Sequence, residues 1–390
     1  MKKALVCAHV ASMIQQFNME NIRLLQQLGY AVDVICNLEQ PGSITPEKAR
    51  EMQQQLVAMG VGVYHMPAPK KVTAVGDIMR SFCIMRRLMR ENRYDLVHCH
   101  SPIGGAICRA ANRVSGDYRK SKMIYTAHGF HFYQGAPKVN WLLYYPIEKL
   151  CARWTDVLIT INREDHRLAE KQMRAGETIY VPGVGVDVEK LAAVCVNREE
   201  KLCSLGIAPE AFVIFSVGEL NSNKNHRVII EAMAKMEHAN VHYVIAGRGA
   251  GGAQLQELAQ RYGLEKKVHV LGYRSDVPEL MAVADLYAFP SYREGLPVSM
   301  MEAMAMGRAV VCSRIRGNVD LLEDTKGGFL LAPDDVDGFA AAIEKILRDG
   351  ALRQQMGAHN KAVMRNFDRK TVEKTMAELY GSVPAEENLL

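Results

Sequence analysis

The chain has 390 residues, with 48 Lys+Arg against 43 Asp+Glu for a net charge of +5, and is 48% hydrophobic and 23% charged. That length is too great for one comfortable core and suits two domains, and the composition excludes a disordered or low-complexity protein. No run approaches the roughly 18 consecutive apolar residues of a membrane span, and nine scattered cysteines without a C-x-x-C pair read as buried free thiols in a reducing cytoplasm.

The start, MKKALVCAHVASMI, looks like a signal peptide until Gln15, Gln16 and Asn18 break the run. It reads better as a first strand and its loop. Strand-like runs at 4–8, 31–36, 62–65, 95–99, 123–127 and 156–161 then alternate with helical periods, which argues for a parallel sheet with right-handed crossovers. Residues 1–180 carry 24 Lys+Arg against 15 Asp+Glu, net +9, and the remainder is −4. A basic first half suggests an anionic partner or surface.

Within that half, residues 79–93 interleave Arg80, Arg86, Arg87, Arg90 and Arg93 with Phe82, Ile84, Met85, Leu88 and Met89. Such a helix either rests on an anionic bilayer or is a crossover with its arginines in water, which the strand at 95 requires. His98 and His100 share one face of a strand end, a spacing compatible with a metal, but no acidic or thiol motif accompanies them. TAHGFHFY places His128 and His131 after the strand ending at Ala127, where a side chain can face a cleft. The aromatics from Phe130 to Tyr145 then form either a sugar-stacking wall or the core under the next helix.

Turn-rich VPGVGVD after Tyr180 marks a connection, giving an N-terminal domain 1–182, a connection 183–208, a C-terminal domain 209–365 and a final helix and frayed tail 366–390. In the second domain, strands at 212–217, 241–246, 268–271, 285–289 and 309–313 each end in a polar or glycine-rich loop. Gly247-Arg-Gly-Ala-Gly-Gly lacks the spacing and ribose-binding acid of a dinucleotide fingerprint. Lys224 follows the first of these strands, where it can meet a diphosphate as a point charge or simply be solvated. From Pro290 the chain reads PSYREGLPVSMMEAMAMG. A strand here runs into a loop with Glu294 and Gly295, then a helix opening at Pro297 and stopping at Gly307. Free N–H groups at such a helix start suit a phosphate, and Glu294 and Glu302 suit sugar hydroxyls. The plainer alternative is a first-turn acid and a solvated helix residue.

GELNSNKNH, LGYRSDVPELMAVADLYAFPS and EGLPVSMMEAMAMG, in this order, resemble the retaining glycosyltransferases of family 4 (group 1), and TAHGFHFY resembles members that build bacterial capsular or exopolysaccharide repeats. The resemblance implies an α/β chain of GT-B fold, with two facing Rossmann-like domains and a C-terminal crossover helix. It implies a UDP-sugar donor, retention at the anomeric carbon, a polyprenyl-diphosphate-linked saccharide acceptor, no required metal or other cofactor, and no nucleic acid. The place implied is the cytoplasm at the inner face of the plasma membrane, with peripheral contact through the basic half. Carried over, Glu302 holds the ribose and Glu294 the donor sugar, and Gly295 and Leu296 offer backbone N–H groups. Lys224 neutralises the diphosphate beside Gly218 and Asn223, the backbone at Tyr273 and Arg274 meets the base, and His128 faces the reacting centre.

Two departures stand out. Many relatives carry a basic residue two before Asn221, where this chain has Glu219, with Arg248 the candidate replacement. Many also have a Gly-Gly loop where this chain reads Val10-Ala-Ser-Met. A sugar-nucleotide epimerase of similar architecture and a non-catalytic sugar-nucleotide-binding subunit are the rival readings.

Overall fold

A computed structural model describes residues 1–69, 73–116, 120–237 and 240–381. The chain divides into two compact units, residues 1–184 together with the segment from Val372 onward, and Gly185–Thr371.

In the first unit the strands are β1 (Lys3–Val10), β2 (Ala31–Asn37), β3 (Gly62–His65), β4 (Leu96–His100), β5 (Lys122–Ala127), β6 (Val157–Thr160) and β7 (Glu177–Tyr180), in the order β3-β2-β1-β4-β5-β6-β7. Every pair is parallel. Side chains along β1 are buried on both faces, as a central parallel strand requires. Ala4, Val6 and Ala8 enter one core cluster, Leu5 and Cys7 the other.

The second unit repeats the plan with β8 (Phe212–Val217), β9 (Val241–Ala246), β10 (Val268–Val270), β11 (Leu286–Phe289), β12 (Ala309–Ser313) and β13 (Gly328–Leu331), ordered β10-β9-β8-β11-β12-β13 and again parallel throughout. In each sheet the strand order reverses beside the first strand, between β1 and β4 and between β8 and β11. Ligands of open α/β sheets bind outside the carboxyl ends of the strands at such a point.

The expected strands are present, and each sheet gains one more, β7 and β13, which the sequence pattern did not suggest. Residues 183–208, expected as a connection, hold helices Val188–Ala192 and Arg198–Cys203 and belong with the second unit from Gly185 on. Arg198 ties that segment down, donating to Ala211 O at 2.8 Å and pairing with Asp285 at 2.8 Å. The last helix, Arg369–Gly381, starts in the second unit and ends in the core of the first, where Val372, Met376 and Tyr380 are buried. The tail expected to fray, Pro384–Leu390, lies outside the described residues.

The arginine-rich helix spans Val75–Asn92 and buries Met85, Leu88 and Met89, leaving Arg80, Arg86, Arg87 and Arg90 exposed. It is a crossover helix with its apolar face on the sheet. Among the described residues no helix is long and apolar enough to cross a membrane.

Candidate active site

The carboxyl ends of β8 and β11 are joined by one ion pair. Lys224 donates from Nζ to Glu294 Oε1 at 2.7 Å, with its ammonium 4.8 Å from the centre of the Phe289 ring. Several bonds hold the two loops in register. Tyr292 N donates to Asn223 O at 2.8 Å, and Asn223 Nδ2 to Arg293 O at 3.0 Å. The buried Asn225, in left-handed conformation at φ 52°, donates to Pro290 O at 3.1 Å and Pro333 O at 2.7 Å. Asparagine tolerates this left-handed conformation better than most non-glycine residues, because its short polar side chain can hydrogen-bond locally. The methylene stem of Lys224 runs past Gly218, where an added Cβ would come within 3.1 Å of it. Under the lysine lies a buried chain in which His226 Nδ1 meets Tyr243 Oη at 2.8 Å and Tyr243 Oη meets Ser216 Oγ at 2.9 Å. Burial, with Lys224 nearby, pushes His226 down to about 4, so the network under the lysine is neutral at pH 7.

Glu294 leads into the Val298–Ala305 helix, which ends at Gly307. That end is a Schellman turn, since Gly307 is at φ 72° and Arg308 N reaches Ala303 O at 3.0 Å. No hydrogen bond among the described residues takes up the N–H groups of Gly295 and Leu296, so both remain available to an anion. Glu302 is half-buried on this helix, and its carboxylate accepts no hydrogen bond among the described residues. Burial raises its pKa, opposed by Arg369. A desolvated carboxylate without donors is costly by itself and suits hydroxyl groups brought by a ligand.

Sequence reasoning missed part of this edge. Arg316, in the loop after β12, donates from Nε to Glu294 O at 3.2 Å. Gly317 beside it, at φ 81°, lies so close that a Cβ would come within 2.1 Å of Gly295 O. Ser291 Oγ, Ser313 Oγ and Asn318 Oδ1, which lie at or after the ends of β11 and β12, are buried without a partner among the described residues. The position of Arg316, a basic residue at a strand's carboxyl end before a glycine, was the available signal.

On the other flank Arg248 lies 4.3 Å over the Tyr273 ring. Its loop is laced to that of Glu219, with Leu220 N donating to Arg248 O at 2.7 Å. Gly247 permits this contact, since a Cβ there would fall 1.7 Å from Gly218 O. Glu219 itself is exposed. Arg274 is committed as a fork to Asp276, at 2.7 and 2.6 Å, and this pair holds the Asp276 carboxyl far below its usual range. Its side chain is therefore engaged in a structural pair.

His128 belongs to the first unit, half-buried beside the buried His98 and His100. Its Nε2 lies 3.1 Å from His100 Nδ1. His98 spends both ring nitrogens, 2.8 Å from Tyr380 Oη and 2.8 Å from Thr126 Oγ1. That engagement removes His98 as a metal ligand, and no metal-binding group of His, Cys, Asp or Glu occurs among the described residues. Burial pushes His98 down to about 3 and His128 to about 4, and His100 well below its usual value. Ser101, just after β4, adopts φ 70° and ψ 149°, a conformation that only glycine adopts without strain.

Comparison with known proteins gives the family and the fold. Residues 197–363 match the family model of glycosyl transferases group 1, and residues 14–183 that of the glycosyl transferase 4-like domain. A Bacillus subtilis protein named as a glycosyltransferase, EpsD, is 33% identical over 98% of this chain and 97% of its own. The Escherichia coli UDP-Gal:alpha-D-GlcNAc-diphosphoundecaprenol alpha-1,3-galactosyltransferase is 28% identical over 91% of this chain and 92% of its own. Among solved structures, Anabaena HepE in complex with UDP and glucose superposes with a TM-score of 0.78 at 20% identity, covering 98% of this chain and all of that one. WaaG, a glycosyltransferase involved in lipopolysaccharide biosynthesis, gives 0.71 at 16% identity over 97% of this chain and 99% of its own. These similarities, spanning both units, show that the chain belongs to the group 1, family 4-like glycosyltransferases and has their GT-B fold.

Proposed function

We propose that this glycosyltransferase moves a hexose or N-acetylhexosamine from a UDP-sugar, with retention, to a lipid-diphosphate-linked saccharide during surface polysaccharide synthesis at the inner face of the plasma membrane. The observation that carries the reading is the edge of the second sheet. There Lys224, the free N–H groups of Gly295 and Leu296, and the donor-starved Glu302 gather beside Glu294. The reading gives the diphosphate to Lys224 and the two N–H groups, the ribose to Glu302, and the donor sugar to Glu294. Its family resemblance supplies the role of His128 at the reacting centre.

Breaking the glycosyl–phosphate bond places positive charge on the sugar and negative charge on the leaving diphosphate. A fixed ammonium and backbone donors at that diphosphate lower the barrier. The acceptor oxygen forms its bond to the anomeric carbon as the phosphate oxygen leaves, and that oxygen takes the acceptor's proton. No enzyme nucleophile is assigned. Because Lys224 answers the diphosphate charge in this scheme, turnover should survive EDTA.

The test is UDP release from a panel of UDP-sugars with and without a polyprenyl-diphosphate-linked acceptor. Acceptor-dependent release with an α-configured product from an α-configured donor is expected. The exposed Glu219, standing where many relatives carry a base, favours one rival, a subunit that binds UDP without turnover; tight UDP binding with no release on any acceptor would establish that rival.

A further inference from the structure

The helix Lys138–Ala152 is built inside out. Its outward residues Val139, Leu142, Leu143, Pro146, Ile147 and Leu150 are all apolar and exposed, Leu142 at 80% and Val139 at 62%. Spaced three and four apart, they form one continuous stripe. The only acid of this helix, Glu148, points the other way and is buried against Arg109 at 2.8 Å and Tyr125 Oη at 2.9 Å. Lys138 and Lys149, with Arg153 just past the helix end, are exposed, and none is paired with a carboxylate among the described residues. The outer face thus combines an apolar stripe with three cations and no anion.

We infer that this face is where the protein lies on an anionic phospholipid bilayer. The argument is charge complementarity together with shape. An interfacial helix sinks its apolar face to the acyl boundary while its basic residues meet lipid headgroups. A self-associating helix seam would be expected to carry charges of both signs along its rim, and this rim is wholly positive. The arginine-rich helix Val75–Asn92, whose sequence suggested the same role, has its apolar residues committed to the core and serves at most as a second basic surface.

The location also suits the reaction, and on this point the inference rests on the proposed lipid-linked acceptor. The helix directly follows the loop of His128 and packs on it through ring contacts, His131 with Tyr144 at 4.6 Å and Phe132 with Trp141 at 5.5 Å. A bilayer under the helix therefore brings lipid-linked substrate to the same loop.

The test is sedimentation with vesicles of phosphatidylcholine containing phosphatidylglycerol, at low and high salt, alongside the solution mass of the free protein. Wild type should pellet with the mixed vesicles, less at high salt and less with phosphatidylcholine alone. Leu142→Asp and the double change Leu142→Ser with Ile147→Ser should each weaken partitioning by about tenfold or more, since each removes an inserted apolar chain. Both positions are exposed, so unchanged melting temperatures are expected and will show that the fold is intact. Wild type that fails to bind, or variants that bind as wild type does, would overturn the inference. So would a wild-type dimer that the same changes convert to monomer, because the stripe would then be a subunit interface. Transfer to a short-chain, water-soluble diphosphate-linked acceptor separates this from the reading it rests on. The Leu142 variants should keep that activity, whereas its absence in wild type would count against the transferase proposal whatever the vesicles show.

Discussion

Lys224 and Glu302 do opposite things for the free protein. Lys224 is neutralised by Glu294, so Lys224→Ala removes an ion pair and strands a part-buried carboxylate. Acceptor-dependent UDP release should fall by about a hundredfold or more, as for loss of one preorganised charge-stabilising group, and steady-state kinetics with saturating acceptor would measure it. Glu302 has a pKa raised by burial, so its ionised form at pH 7 works against folding. Glu302→Gln should therefore melt no lower than wild type, and binds UDP-sugar at least about tenfold more weakly if the ribose hydroxyls are its partners. A mutant that melts several degrees lower with donor affinity intact would make Glu302 a structural residue. The clustered histidines His98, His100 and His128 add a pH dependence whose sign is fixed. Their folded pKa values lie below the ordinary 6.5, with His128 near 4, so between those values the unfolded chain binds more protons. Their contribution to stability is complete above about pH 6.5 and is lost as pH falls toward 4. Chemical denaturation across that range should show stability falling by a few kcal/mol, and replacing His98 with Gln should flatten the slope.

At the scale of elements, what the sequence disclosed follows period and punctuation. Buried central strands such as 4–8 and 123–127 are continuous apolar runs, and Gly307 marks the true end of its helix. The two strands left unread, β7 and β13, are four-residue edge strands. Glu177 and Thr178 are polar and β13 opens on Gly328, so neither shows a buried run. Candidate site residues in the glycine and acid motif stand out in the sequence because their chemistry and spacing are local. Arg316, Asn225 and the Ser216–Tyr243–His226 chain were not, since they reach the site only through parallel pairing of distant strands. The helix Lys138–Ala152 shows the same limit. Its sequence is apolar nearly all round, and the buried Arg109–Glu148 pair, together with Trp141, Tyr144 and Tyr145 packed on the core, sets which side faces inward. Breaking that pair should be severe. Glu148→Ala leaves a guanidinium buried alone and should cost about 3–5 kcal/mol, while Arg109→Met combined with Glu148→Leu should recover much of the loss. Urea unfolding of the wild type and the two variants measures the difference. Equal destabilisation of the single and double variants would mean that the pair does not orient the helix.

At the scale of the whole molecule, the chain closes on itself, because its last described helix returns to the unit where the chain began. Val186 and Asp368 bridge in parallel where the two passages run side by side in the second unit, and Arg369 N donates to Val186 O at 3.0 Å. Beyond Thr371 the helix is bound to the first sheet's core. Tyr380 is fully buried, its hydroxyl meets His98 at 2.8 Å, its carbonyl accepts from Tyr30 Oη at 3.1 Å, and Lys122 Nζ donates to Leu379 O at 2.9 Å. This terminus is therefore a structural part of the first unit, the crossover helix that the family resemblance implied from a segment whose own sequence reads only as a helix behind a polar run. Tyr380→Ala opens a ring-sized cavity and leaves His98 without one partner, which should cost about 3–5 kcal/mol. Tyr380→Phe removes the hydroxyl alone and should cost about 1–3 kcal/mol. Because the residues proposed to hold the donor all lie in Gly185–Thr371, titration calorimetry should find UDP affinity unchanged in both variants while melting of the first unit shifts down. Loss of UDP affinity in step with that melting would show that the second unit does not hold its donor edge independently. The donor site would then depend on the first unit's core as well as on its own sheet.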